Sequence, residues 1–166
     1  TQQTLGESYN MIFNGSIYQR HTVSEYTTNA VDIDGFGTVF KTETKGASLK
    51  WDPYSSDKIV SGKYTTVSEN NSYGTLTSQG TVGVSYTRLG VDGSEYKPYS
   101  SAYTTSYENY VSGLYETKVT NIDGFGTVLS QVTTGESYKY DTVADTDMLT
   151  GAYTTWAYNN VYGVLN

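Results

Sequence analysis

The seven residues Ile33-Asp34-Gly35-Phe36-Gly37-Thr38-Val39 recur letter for letter as Ile122-Asp123-Gly124-Phe125-Gly126-Thr127-Val128. A shift of 89 residues aligns the whole of 122–166 with the stretch that begins at Ile33. It superposes Gly46 on Gly135, Gly62 on Gly151, Gly74 on Gly163 and Asn70-Asn71 on Asn159-Asn160. Fixed-period self-similarity is the mark of a repeat architecture. Loosening the marker to Gly-x-Ser, then Tyr-Thr-Thr, then (Tyr/Phe)-Gly divides the chain into four units, 1–40, 41–77, 78–129 and 130–166. Gly-x-Ser begins at Gly6, Gly46, Gly83 and Gly135, and Tyr-Thr-Thr at Tyr26, Tyr64, Tyr103 and Tyr153. On this reading the third unit carries an insertion of about ten residues near Tyr110–Asn121.

The residues between these markers are strand formers. The chain has 18 Tyr and 17 Gly but only 4 Phe, 2 Trp and 2 Met. Thr, Tyr and Val favour a pleated, half-buried surface, and runs of helix formers are absent, so the chain reads as one all-β domain. Asn14-Gly15, Asp34-Gly35, Asp92-Gly93 and Asp123-Gly124 read as hairpin turns with both central residues at positive φ. Pro53–Ser56 and Val143–Thr146 read as longer loops. Eight segments, mostly of 12 to 20 residues, lie between the turns. Each has a small residue near its middle: Gly6, Gly46, Gly83 and Gly135 in one set, Ser24, Gly62, Ser101 and Gly151 in the other. Such a residue can bend a long strand or admit a close backbone. Alternation puts Ala47, Leu49, Trp51, Val82, Val84 and Tyr138 on one face, with Thr, Gln, Ser and Lys on the other. The expected fold is eight long antiparallel up-and-down strands closed into a barrel or flattened sandwich. A four-bladed β-propeller is the alternative, with a turn at Ser61-Gly62.

A net charge of −7 opposes nucleic acid and anionic membrane surfaces. No apolar run is long enough for a membrane helix, and neither face offers the lipid belt of a membrane barrel. Without cysteine there is no disulfide or thiolate metal site. A first residue Thr1 instead of Met is expected of a processed secreted protein. The expected location is therefore extracellular or at the cell surface.

Four kinds of site are candidates. Asp32, Asp34, Asn121 and Asp123 place oxygen ligands two apart before Gly, as calcium loops do; a metal-free Asp-Gly turn is the favoured reading, and no other cofactor is expected. Trp51, Trp156, Tyr54, Tyr107, Tyr110 and Tyr158 are candidates for stacking on sugar rings, with core filling as the plainer role. Asn14 and Asn70 open Asn-x-Ser glycosylation sequons at turns. The ends form the fourth: Gly-x-Ser follows nine residues after Gly37, Gly74 and Gly126, and the same count leads from Gly163 through Asn166 and Thr1 to Gly6. This expects the chain's end to continue into its own start or into that of a second copy. His21 stands alone, without a nucleophile-elbow motif. Glu7 with Glu136, or Asp52 with Asp141, recur as repeat equivalents, which suits structural duty better than an active site. The expected function is a non-enzymatic adhesion, coat or fibre protein assembling with itself. A multivalent glycan-binding module is the alternative, and a small-ligand carrier or glycoside-active enzyme the remote one.

Overall fold

The computed structural model describes residues 2–13, 15–51, 58–90, 107–141 and 143–165. They form eight strands: β1 (Gln3–Phe13), β2 (Tyr18–Ile33), β3 (Val39–Trp51), β4 (Lys58–Asn70), β5 (Leu76–Gly90), β6 (Tyr107–Ile122), β7 (Val128–Asp141) and β8 (Thr146–Tyr158). All pair antiparallel in sequence order in one sheet. At 11 to 16 residues they are longer than the usual strand of about 5–6.

The strands are held in register by rows of like residues running straight across the sheet. Gly6, Tyr26, Gly46, Tyr64, Gly83, Tyr115, Gly135 and Tyr153 lie directly opposite one another in turn. Two residues away runs a second row, Thr4, Thr28, Thr44, Thr66, Thr81, Thr117, Thr133 and Thr155. Side chains at opposed positions share a face, so every Tyr ring in the first row has Gly beside it. The rings lie over those glycines: a Cβ on Gly6, Gly46, Gly83 or Gly135 would sit 2.2–2.3 Å from a ring atom of Tyr26, Tyr64, Tyr115 or Tyr153 respectively. Each aromatic ring thus supplies the packing that its glycine neighbour lacks.

That straight row explains why the sheet is open. Closing a barrel requires strands to stagger steadily around it, whereas seven successive pairings keep one row in line. β1 and β8 are the two ends of the sheet, so the expected barrel does not close. Nor is there a second layer to make a sandwich among the described residues. The propeller fails at its turn: Ser61 is the extra residue of a bulge within β4, opposite the Ser48–Leu49 step. Val23, Ser112 and Thr150 are the corresponding extra residues in β2, β6 and β8. The small residues beside them admit neighbouring backbone, since a Cβ on Gly62 would meet the Val84 carbonyl oxygen at 3.0 Å.

Two further expectations are corrected by the row. Its sixth member is Tyr115, whose segment Tyr115-Glu116-Thr117 replaces Tyr-Thr-Thr; Tyr103 and Ser101 lie outside the described residues. Tyr110–Asn121 is continuous β6 and not an insertion. The tyrosines also share the face of the glycine and threonine rows, so apolar side chains are divided between the two faces. Only Leu49 and Ile59 are buried apolar residues among those described, at 8% and 6% exposure. Domains ordinarily bury a core between two layers; here cross-strand contacts within one layer take its place.

Four turns join even strands to the chain that follows, and they are alike. In each, the first residue's N–H and C=O bond across the turn: Asp34 to Thr38 and Gly37, Asn71 to Thr75 and Gly74, Asp123 to Thr127 and Gly126, Asn160 to Val164 and Gly163, at 2.8–3.2 Å. Positive φ falls on the last residue, at 91° for Gly37, 76° for Gly74, 85° for Gly126 and 75° for Gly163. The turn is therefore a type I turn closed by a left-handed glycine, and not the Asp-Gly turn read from the sequence. Gly126 is the more constrained of the two heptapeptide glycines. A Cβ there would lie 3.1 Å from the Leu76 backbone nitrogen, while at Gly37 nothing lies within 4 Å. Gly37→Ala is expected to cost about 1–2 kcal/mol of left-handed strain, and Gly126→Ala measurably more. Urea midpoints of the two variants check the order.

Candidate functional site

The side chain that opens each turn caps it. Asp34 Oδ1 accepts from the N–H groups of Phe36 and Thr38 at 2.9 and 2.8 Å, and Asp123 Oδ1 from Phe125 and Thr127 at the same distances. Asn71 Oδ1 accepts from Tyr73 and Thr75, and Asn160 Oδ1 from Tyr162 and Val164. Asn does this as well as Asp, so the turn requires an oxygen and not a charge. The N–H groups of Thr38 and Phe36 hold the Asp34 carboxyl below its ordinary pKa, and those of Thr127 and Phe125 do the same for Asp123. A depressed carboxyl adds stability above its unfolded pKa, lost as pH falls through the folded value. Asp34→Asn with Asp123→Asn is expected to flatten the stability loss between about pH 5 and 2, leaving the urea midpoint at pH 7 little changed.

This geometry decides how the candidate residues are disposed. Asp34 and Asp123 are occupied as caps. Asp32 pairs with Lys41 and Asn121 with Ser130 at bulges. No group of three His, Asp or Glu side chains gathers among the described residues.

The described stacking candidates are spread over β3, β6 and β8. Trp51 lies against His21 with ring centroids 4.0 Å apart, and Tyr110 against Tyr140 at 3.9 Å. Trp156 and Tyr158 lie on β8, 55% and 57% exposed. Tyr54 and the Tyr107 side chain lie outside the described residues.

Asn14 also lies outside them. Asn70 is half-buried, and its Nδ2 donates to the Val39 carbonyl at 3.0 Å. A glycan would replace one of the two hydrogens on that nitrogen, beside a bond that ties β4 to β3. The repeated carboxylates are likewise committed to local bonds: Glu7 accepts from the Tyr9 hydroxyl at 2.6 Å and Glu136 from that of Tyr138. Both bonds raise the tyrosine pKa. Asp141 caps Val143 and Ala144, and Asp52 lies outside the described residues.

Of the terminal residues, Thr1 and Asn166 lie outside the described chain. Gly6 sits under the Tyr26 ring in β1, and Gly163 closes the fourth turn. Beyond that turn Leu165 forms a bridge with Asn159, on the side of β8 away from β7, as Leu76 does with Asn70 on β4.

The feature that composition concealed is that β1 and β8 are the two edges of the sheet, with no further strand beside either among the described residues. β1 carries one charged residue, Glu7, and β8 one, Asp147; neither contains Pro or Lys. Edges left exposed are ordinarily blunted by such residues. Large apolar side chains stand on both, among them Leu5 at 72%, Met11 and Phe13 at 54%, Leu149 at 58% and Trp156 at 55% exposure.

The edges carry unmatched halves of the cross-sheet pattern. At every even-to-odd pairing the threonine hydroxyls bond to each other at 2.8 Å: Thr28 with Thr44, Thr66 with Thr81, Thr117 with Thr133. Thr155 and Thr4 are the even and odd members left over, one at each end of the sheet. Comparison with known protein families, curated proteins and solved structures finds no match for the chain.

Proposed function

We propose that this is a non-enzymatic structural protein of the cell exterior whose copies join edge to edge, β8 of one beside β1 of the next. The reading rests on the unmatched threonines. Placing β1 of a second copy beside β8 in the register of β2 with β3 brings Thr155 opposite Thr4, Tyr153 opposite Gly6 and Thr154 opposite Leu5. Both rows then continue unbroken from copy to copy, and Leu165 marks where the added strand enters. Strand directions also agree, since β1 and β8 are antiparallel within the sheet.

The contact is heterologous, with different surfaces on the two partners, so it propagates unless a rotation closes it. Added strands pair all the main-chain groups of an exposed edge, and a sheet without a core has much to gain from them. The product is a ribbon of continuous sheet, suited to a fibre, coat or adhesive layer. Sedimentation across a wide concentration range tests the reading. Mass that grows with concentration supports it, and a monomer at every concentration overturns it.

A further inference from the structure

The four like turns bring an aromatic residue to the same place each time, third in the turn, and leave it in solvent. Phe36 is 98% exposed, Tyr73 90%, Phe125 93% and Tyr162 85%. Such rings contribute nothing to packing, and one alone would call for no explanation. Four at every equivalent position form a line along one end of the sheet. Successive turns are two strands apart, which sets the rings roughly 10 Å from one another. Each is fixed in place by a doubly bonded Asx cap. The turns also lie side by side: a Cβ on Gly163 would meet Thr127 at 3.4 Å, and one on Gly126 would meet Thr75 at 3.1 Å.

We propose that this comb of rings binds a neutral, extended β-linked polysaccharide, each ring stacking on the C–H face of every second sugar. The rings offer flat apolar faces at a regular pitch comparable with the two-sugar repeat of such a chain. The charge around them sets the class of ligand. Asp34 and Asp123 sit within the same turns with their carboxyls depressed in pKa, Asp32 lies beside the first, and the chain carries a net charge of −7. The nearby Lys41 is engaged by Glu69 at 3.1 Å. That end of the sheet repels anionic lipids and acidic polymers, while carboxylates and amides accept hydrogen bonds from sugar hydroxyls. The site stands on single copies, and edge-to-edge assembly would lengthen the comb without being needed for it.

Co-sedimentation of the full chain with microcrystalline cellulose and with chitin, and separately with phosphatidylcholine vesicles, tests the proposal. The wild type is expected to partition onto at least one polysaccharide. Changing Phe36, Tyr73, Phe125 and Tyr162 together to Ala should lower that partition by about 100-fold or more, because linked contacts multiply, with each single change worth only a few-fold. The quadruple variant should keep its circular dichroism and melting temperature, since the four rings are 85–98% exposed. Equal retention of the quadruple variant, retention of neither polysaccharide by the wild type, or binding to vesicles alone would overturn the proposal.

Discussion

On the proposed edge-to-edge assembly, Leu5→Lys combined with Thr154→Lys is expected to leave a monomer at concentrations where the wild type is expected to assemble. In the continued register these two residues face each other at every junction between copies, so each junction opposes two ammonium groups. Like charges directly opposite across strands cost up to about 1 kcal/mol, and the lost Leu5 contact adds a similar amount. Together they weaken each junction roughly 30-fold. Leu5 is 72% exposed and Thr154 is also exposed on its edge strand, so the folded monomer should be untouched. Leu5→Lys combined with Thr154→Glu, which opposes unlike charges, should assemble about as well as the wild type. Light scattering of the two variants reads the outcome. An assembly indifferent to the sign at residue 154 would mean that copies associate by another surface.

The second large effect concerns what holds a single-layer sheet together. Tyr64 lies between Gly46 and Gly83 in the cross-sheet row, its ring over Gly46. With so little buried apolar surface elsewhere, such a ring takes the role of a core residue. Full burial of an aromatic side chain is worth about 3–5 kcal/mol on truncation. For the half-buried Tyr64, Tyr64→Ala is expected to cost about 2 kcal/mol, or roughly 4–8 °C in Tm. Gly46→Val is the sharper test, because strand propensity alone makes it stabilising. The Cβ would fall 2.3 Å from Tyr64 Cζ, so the ring must leave its place, and a loss of about 1–3 kcal/mol is expected. Combining the two changes should cost less than their sum, since the valine then fills the space the ring vacated. Tyr153→Ala, at the sheet edge and 48% exposed in the wild type, should cost about half as much as Tyr64→Ala. A Gly46→Val variant more stable than the wild type would contradict this account of the row.

Much of the fold was legible because its determinants are local. Thr, Tyr and Val alternation gave the strands, and the Asp-Gly dipeptides marked the place of two turns but not their type, since the positive φ falls two residues later on Gly37 and Gly126. Closure was not legible. It depends on stagger, which is set by bulges such as that at Ser61, and one unpaired residue in thirteen leaves no compositional trace. The literal Tyr-Thr-Thr at Tyr103 misled for a related reason. The fixed shift of 89 residues, carried back from Ile122, leads from Tyr26 to Tyr115, where the literal motif is not kept.

The site was half visible. Counting residues between markers leads from Gly163 to Gly6 but does not show that β1 and β8 are the two edges of the sheet. The aromatic tips were hidden in plain sight as half of the (Tyr/Phe)-Gly marker. The glycine has to be there for its φ, and nothing in the sequence showed that its aromatic neighbour points into solvent.

In the proposed assembly, β8 of one copy lies beside β1 of another in the register of the sheet. The chain has no cysteine, so a pair can be introduced cleanly at Thr4→Cys and Thr155→Cys. Opposed residues on antiparallel strands have Cα atoms about 4.5–5.5 Å apart, within the range a disulfide spans. Mild oxidation followed by non-reducing electrophoresis should give a ladder of covalent dimers, trimers and longer species. Thr4→Cys with Thr154→Cys, one residue out of register and on the opposite face, should give little. A monomer closed by its own 4–155 disulfide would mean a barrel in solution, and no cross-link at all would mean that the two edges do not meet.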